Sequence, residues 1–210
     1  MPKGGEIVGS LRRELESLNK MIAEHPYLSD AERGALPREK IERFVVNQLY
    51  IIPHDLRSLG HMLSRASEPD EIRFFKAAVD GDYAAMQELL KLAGELGIGL
   101  ESATRADPEA VAYTHYLAWL ASYATPGQAA VALVVNLPVW GAAVGRLGRA
   151  LKERYGIKET GLFELFAQDY SSFEEMAYPI IERYENLEAY RLVARMIQHY
   201  EKMFWDAIYR

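Results

Sequence analysis

The sequence predicts an all-α protein, on three observations. Apolar residues recur along most of the chain at three- and four-residue steps, the spacing of one helical face. No segment sustains the alternation, rich in β-branched residues, that marks a strand. Proline, glycine and capping residues punctuate the periodic segments, with no low-complexity linker and no repeat between them. A length of 210 residues suits one large domain or two small ones. The missing linker favours one domain over residues 1–210, built from about eight or nine helices.

Leu11, Leu15, Leu18 and Ile22 form a stripe, so residues 6–24 are predicted as an amphipathic helix that His25-Pro26 ends. Ser29-Asp-Ala-Glu32 spells a capping box and a short helical turn, closed by Gly34. Pro37 suits the first position of a helix running from Arg38 to about Ala66. Pro53 should kink or split that helix, because it removes a donor and crowds the preceding turn. Residues 69–80 and 82–97 read as helices around Gly81, or as one element with a break, with Gly97 and Gly99 as the stop. Asp107-Pro108 opens a helix over 110–124, and Thr125-Pro126-Gly127 turns into a long one over 129–155, disturbed at Pro138. A short helix over 161–168 follows. Ser172-Phe-Glu-Glu175 caps the next, to about Tyr184, and Asn186 caps the last.

Half of the residues are hydrophobic and 26% are charged, an ordinary globular balance that allows a sizeable core. The net charge of −6 argues against nucleic-acid coating, which needs a clustered basic surface. The absence of cysteine removes disulfides, thiolate metal sites and sulfur nucleophiles, and fits a cytoplasmic protein. The N-terminal stretch has no apolar core of the secretory kind. The longest apolar run, Gln128 to Gly145, is interrupted by Asn136 and Pro138, so a buried helix is expected rather than a membrane span.

Phosphate-binding glycine loops, dinucleotide fingerprints and nucleophile elbows are missing. No histidine stands three residues after a glutamate, the pattern of di-metal bundles, so neither metal nor cofactor is expected. Thirteen tyrosines, seven phenylalanines and three tryptophans are mostly core material at helical spacing. Several tyrosines beside one carboxylate would also suit a flat heterocycle with polar edges.

The last helix carries the one anomaly. Tyr190, Ala194, Ile197, Phe204 and Ile208 share a face, and Glu201 lies on the same stripe. A carboxylate on a core-facing stripe is costly unless paired, protonated or facing a polar cavity. Glu201 therefore either belongs to a ligand pocket or sits on the flank of the stripe.

Ordered segments resemble the TenA family, also called thiaminase II, of the haem-oxygenase-like superfamily. They are His25-Pro-Tyr27 with Gly34 to Lys40 and Phe44 to Gln48; Ala112 to Leu117; Leu137-Pro-Val-Trp140 running to Gly145; Phe163 to Phe173; and Glu201-Lys-Met-Phe-Trp205. The resemblance implies a haem-oxygenase-like helical bundle that binds a small heterocycle and assembles as a homodimer or homotetramer. It implies hydrolysis of an aminopyrimidine, or cleavage of thiamin, in thiamin salvage. Glu201 takes the place of the proton-moving carboxylate. Tyr113, Tyr170, Phe204 and Tyr50 are the candidate ring contacts. The family's cysteine position holds Leu137 or Val139, depending on alignment, the aspartate after Gln48 is replaced by Leu49, and a tyrosine by Ile52. These losses leave a non-catalytic ligand-binding or regulatory relative as the alternative. The run Val46 to Asp55 also resembles, more briefly, the PqqC-like oxidase branch.

Overall fold

The computed structural model describes residues 3–210. Ten α-helices and one 3₁₀ turn make up the secondary structure among the described residues, and there is no strand. They are α1 (Lys3–Glu14), α2 (Glu16–Ala23), α3 (Pro26–Glu32), α4 (Arg38–Arg65), α5 (Pro69–Leu96), a 3₁₀ turn (Leu100–Arg105), α6 (Ala112–Tyr123), α7 (Pro126–Tyr155), α8 (Gly161–Phe166), α9 (Ser171–Arg183) and α10 (Leu187–Tyr209).

The count is ten rather than eight or nine: residues 69–96 form the one helix α5, unbroken at Gly81, and two other boundaries differ. The first predicted helix is two, separated at Leu15 (φ −99°, ψ 5°). The expected turn at Ser29 is the body of α3. His25 caps it, its Nδ1 accepting the Tyr27 amide at 3.2 Å. Pro37 precedes α4 rather than opening it. The cap expected at Ser172 lies inside α9, which starts at Ser171. Pro26, Pro69 and Pro126 sit at helix N-termini, where a missing amide costs nothing. Gly97 (φ 72°) and Gly156 (φ 69°) end α5 and α7 in the left-handed region. Asn186 caps α10, accepting the Ala189 amide at 3.1 Å.

Pro53, expected to kink or split its helix, does not split it, and the helix expected to be disturbed at Pro138 runs through it. α4 runs 28 residues through Pro53, and α7 runs 30 through Pro138. Proline lacks the amide that would bond the carbonyl four residues earlier. For Pro138 that carbonyl is Val134, and Arg12 on α1 donates its Nη2 to it at 2.7 Å. The same guanidinium bonds the Glu174 carboxylate on α9. A side chain from another helix thus supplies the donor that the backbone lacks.

α7 is the central element, packed by α3, α8, α9 and α10, while α4 and α5 lie along each other. By length and composition α7 could cross a membrane, but 67% of its most apolar window is buried inside the bundle. Gly141 and Gly148 let α8 and its following turn approach the α7 backbone. A Cβ at Gly141 would strike the Phe166 carbonyl, and one at Gly148 the Phe163 ring. Two apolar clusters form the core. One is centred on Phe44, Phe163, Phe204 and Trp205, the other on Phe74, Leu120, Val131 and Ile197. In the first, Trp205 lies 5.3 Å from Phe204 and 5.6 Å from both Tyr27 and Trp140, centre to centre. Each such aromatic pair adds about 0.5–1.5 kcal/mol beyond its burial. Tyr113 packs against both clusters.

Candidate functional site

A cavity of about 350 Å³ draws its lining from both clusters. α4, α5, α6, α7 and α10 contribute, as do α8 and the stretch from Gln168 into α9. The volume is that of a site for a small ring compound. Trp140, Phe166, Phe173 and Phe204 supply aromatic wall, and Ile51, Ile52, Leu59 and Leu117 aliphatic wall.

Glu201 lies in this wall, 3% exposed, which decides the choice left open by periodicity. Each carboxylate oxygen has one donor: Oε1 accepts the Trp205 indole N–H at 2.9 Å, and Oε2 accepts Asn136 Nδ2 at 3.0 Å. The helix itself arranges the first bond, since residues four apart stand one turn above each other. Asn136 Nδ2 also donates to Gln198 Oε1 at 2.9 Å, and Asn136 Oδ1 accepts the Tyr113 hydroxyl at 3.0 Å. The chain of bonds joins α6, α7 and α10 around the carboxylate. No cation takes part. Burial pushes the Glu201 pKa up to about 7, against the pull of the Asn136 and Trp205 donors. A carboxyl poised near neutrality can take or give a proton at physiological pH.

Tyr113, Tyr170 and Phe204 also line the cavity. Burial raises the Tyr113 pKa well above the ordinary tyrosine value, with the charges of Asp55, Glu201 and Asp82 adding to it. Tyr113 therefore acts as a neutral donor. Tyr170 presents its ring only, because its hydroxyl donates to the Phe166 carbonyl at 2.8 Å. Tyr50 does not reach the cavity. Its ring stacks on His54, 4.2 Å between centres, and its hydroxyl meets His115 Nε2 at 3.1 Å. On α4 the residues that line the cavity are Gln48, Ile51, Ile52, Asp55 and Leu59, and Tyr50 is not among them.

The substituted positions separate in the same way. Leu137 lines the cavity and Val139 does not. Leu49 belongs to the core, and the neighbouring Gln48 presents an amide to the cavity instead. Ile52 is in the wall.

Three further carboxylates line the cavity: Asp55 on α4, Asp82 on α5 and the exposed Asp169 before α9. Burial raises the Asp55 pKa to about 7, and the adjacent Thr114 hydroxyl opposes the rise. Asp82 is raised well above the usual range, by burial first and then by the charge of Asp55. Among the described residues no group of three or more His, Asp or Glu side chains is arranged to hold a metal ion. The signal for Asp55 is in the sequence. Gln48, Ile52, Asp55 and Leu59 fall at steps of four, three and four, one helical stripe. Reading Pro53 as a break cuts this stripe in two, which hides the carboxylate.

The fold matches solved structures along its whole length. A TenA homologue from Pyrococcus furiosus superposes with a TM-score of 0.81 at 23% identity, covering 97% of this chain and 100% of its own. A TenA homologue from P. horikoshii superposes with a TM-score of 0.75 at 21% identity, covering 97% and 98%. A TenA family transcription regulator from Silicibacter superposes with a TM-score of 0.77 at 17% identity, covering 96% of each chain. At these identities the likeness is one of fold. No curated protein matches the sequence. The pattern of the TENA/THI-4/PQQC family, in contrast, matches residues 12–210, and the chain belongs to that family.

Proposed function

We propose that the protein is a TenA-like hydrolase acting on a small heterocycle of the thiamin-related aminopyrimidine type. The observation that carries this reading is Glu201, a buried carboxyl in an aromatic-walled cavity with a pKa near 7. With no cysteine in the chain, water attacks the substrate carbon directly. Glu201 takes a proton from that water as the carbon–oxygen bond forms. It returns a proton to the departing nitrogen as the carbon–nitrogen bond breaks. Tyr113 donates to a ring heteroatom or stays on Asn136, and Phe204, Tyr170 and Trp140 enclose the ring.

The test is chromatographic assay of 4-amino-5-aminomethyl-2-methylpyrimidine and of thiamin with the purified protein and with Glu201→Gln. The variant should lose about 100-fold or more in kcat while binding is largely kept. An unchanged rate removes Glu201 from the chemistry. A second reading, ligand binding without turnover, is favoured by Leu137, an aliphatic residue in the wall where the resemblance allows the nucleophile. A pyrimidine that raises the melting temperature and is never consumed would select it.

We also propose self-association through an exposed aromatic face. Tyr116 stacks on Trp119 at 5.8 Å and lies tilted against Tyr200 at 5.1 Å, and Trp119 and Tyr123 are 48% and 74% exposed. A homodimer or homotetramer would cover this face. Light scattering on Trp119→Lys should show a smaller species than the native protein.

A further inference from the structure

We propose that the Asp55–Asp82 pair is a subsite for a cationic amidinium or ammonium group of the ligand. This rests on the cavity being the ligand site, and assigns one of its walls a charge preference. Asp55 is 8% exposed and lines the cavity. Its Oδ1 is buried with no hydrogen-bond partner, and so is Oδ2 of Asp82. The two side chains come from adjacent helices, α4 and α5, and are near enough for the charge of one to disfavour ionisation of the other.

Buried polar atoms in folded proteins are almost always paired, and buried charges are paired with cations. Neither holds here. Among the described residues no Lys, Arg or His lines the cavity. Every ionisable acid in the lining has the same sign: Asp55, Asp82, Glu201 and, at the rim, Asp169. The buried Thr114 hydroxyl is the one polar neighbour that favours the charged form of Asp55, and it brings no positive charge. A ligand bearing two N–H donors on a positive centre would bond the carboxylate oxygens that face the cavity and displace the proton that the free pair retains. Ile51, Ile52, Leu59 and Leu117 supply apolar surface in the same cavity for the body of such a ligand. A neutral or anionic isostere leaves the carboxylates unmatched, and a site built this way rejects it.

Benzamidine and benzamide test this, because they share a shape and differ in charge. Isothermal titration at neutral pH should show benzamidine binding about tenfold or more tighter than benzamide, as a charged hydrogen bond implies. That preference should disappear in Asp55→Asn and Asp82→Asn. Both substitutions keep the shape and relieve like-charge repulsion, so both variants should fold, with melting curves as the check. Glu201→Gln should retain the preference. Equal binding of the two probes by the native protein, or binding of neither, overturns the proposal. A preference that survives in both aspartate variants, or that falls only in Glu201→Gln, overturns it as well. Turnover plays no part in the readout, so loss of the hydrolysis reading would leave this result standing, and the reverse.

Discussion

Asn136 divides one amide nitrogen between two buried acceptors, Glu201 Oε2 at 3.0 Å and Gln198 Oε1 at 2.9 Å, while its oxygen accepts from Tyr113. Asn136→Ala strands all three. Each orphaned group costs about 1–3 kcal/mol, and partial repacking should leave a net loss of about 2–3 kcal/mol in urea denaturation at pH 7. The substitution also removes a donor to the charged form of Glu201, so the pKa of that carboxyl should rise further. A pH–rate profile displaced to higher pH would report it.

The pH dependence of stability follows from the same carboxyl. The Glu201 pKa is about 7 in the folded protein against an ordinary 4.5. Its contribution is therefore fully present below about pH 4.5 and is lost as pH rises through about 7. The full span is worth about 3 kcal/mol. Asp55 acts with the same sign. Native stability should fall from pH 5 to pH 8 more steeply than that of Glu201→Gln. The slope is the diagnostic, because the glutamine amide faces the Asn136 amide and shifts the level for a separate reason. Denaturation at several pH values measures it.

Glu71, 0% exposed, accepts Arg183 Nη1 at 3.0 Å and the Ser67 amide at 3.1 Å. Arg183 also bonds Asp70, at 2.7 Å. Arg183→Ala leaves Glu71 buried with backbone donors alone and should cost about 2–3 kcal/mol. Adding Glu71→Gln should recover part of that loss, a non-additivity that a double-mutant cycle reads directly.

Two glycines predict opposite outcomes. A Cβ at Gly81 meets nothing within 4 Å, so Gly81→Ala should stabilise α5 by roughly 0.5–1 kcal/mol. A Cβ at Gly141 meets the Phe166 carbonyl and, at 3.1 Å, the Tyr170 ring. Gly141→Ala should destabilise by about 1–3 kcal/mol and push Tyr170 into the cavity. Thermal melts give the sign of each.

Fold class was readable because helical periodicity is a local property of the chain. The end of α10 illustrates this: Glu201 stood out on an apolar stripe, and the structure puts it in the wall of a cavity. What escaped depends on contacts between distant segments. Pro53 and Pro138 look like breaks from within their own helices, and a donor such as Arg12 is invisible in the local pattern. Asp55 was lost with the register at Pro53, and Asp82 follows a glycine that reads as a break but lies in mid-helix. Tyr50 is a candidate by residue type, and the helical phase of α4 turns it towards His115.

The bond from Arg12 to Val134 has a consequence for inheritance. A proline at position 138 makes the fold depend on a donor that lies 122 residues from the Val134 carbonyl it serves. Without Arg12 the proline leaves a bare carbonyl, and without the proline Arg12 keeps only its bond to Glu174, competing with a backbone amide for Val134. Relatives that replace Pro138 should be free to replace Arg12, and those that keep the proline should retain a donor on the first helix.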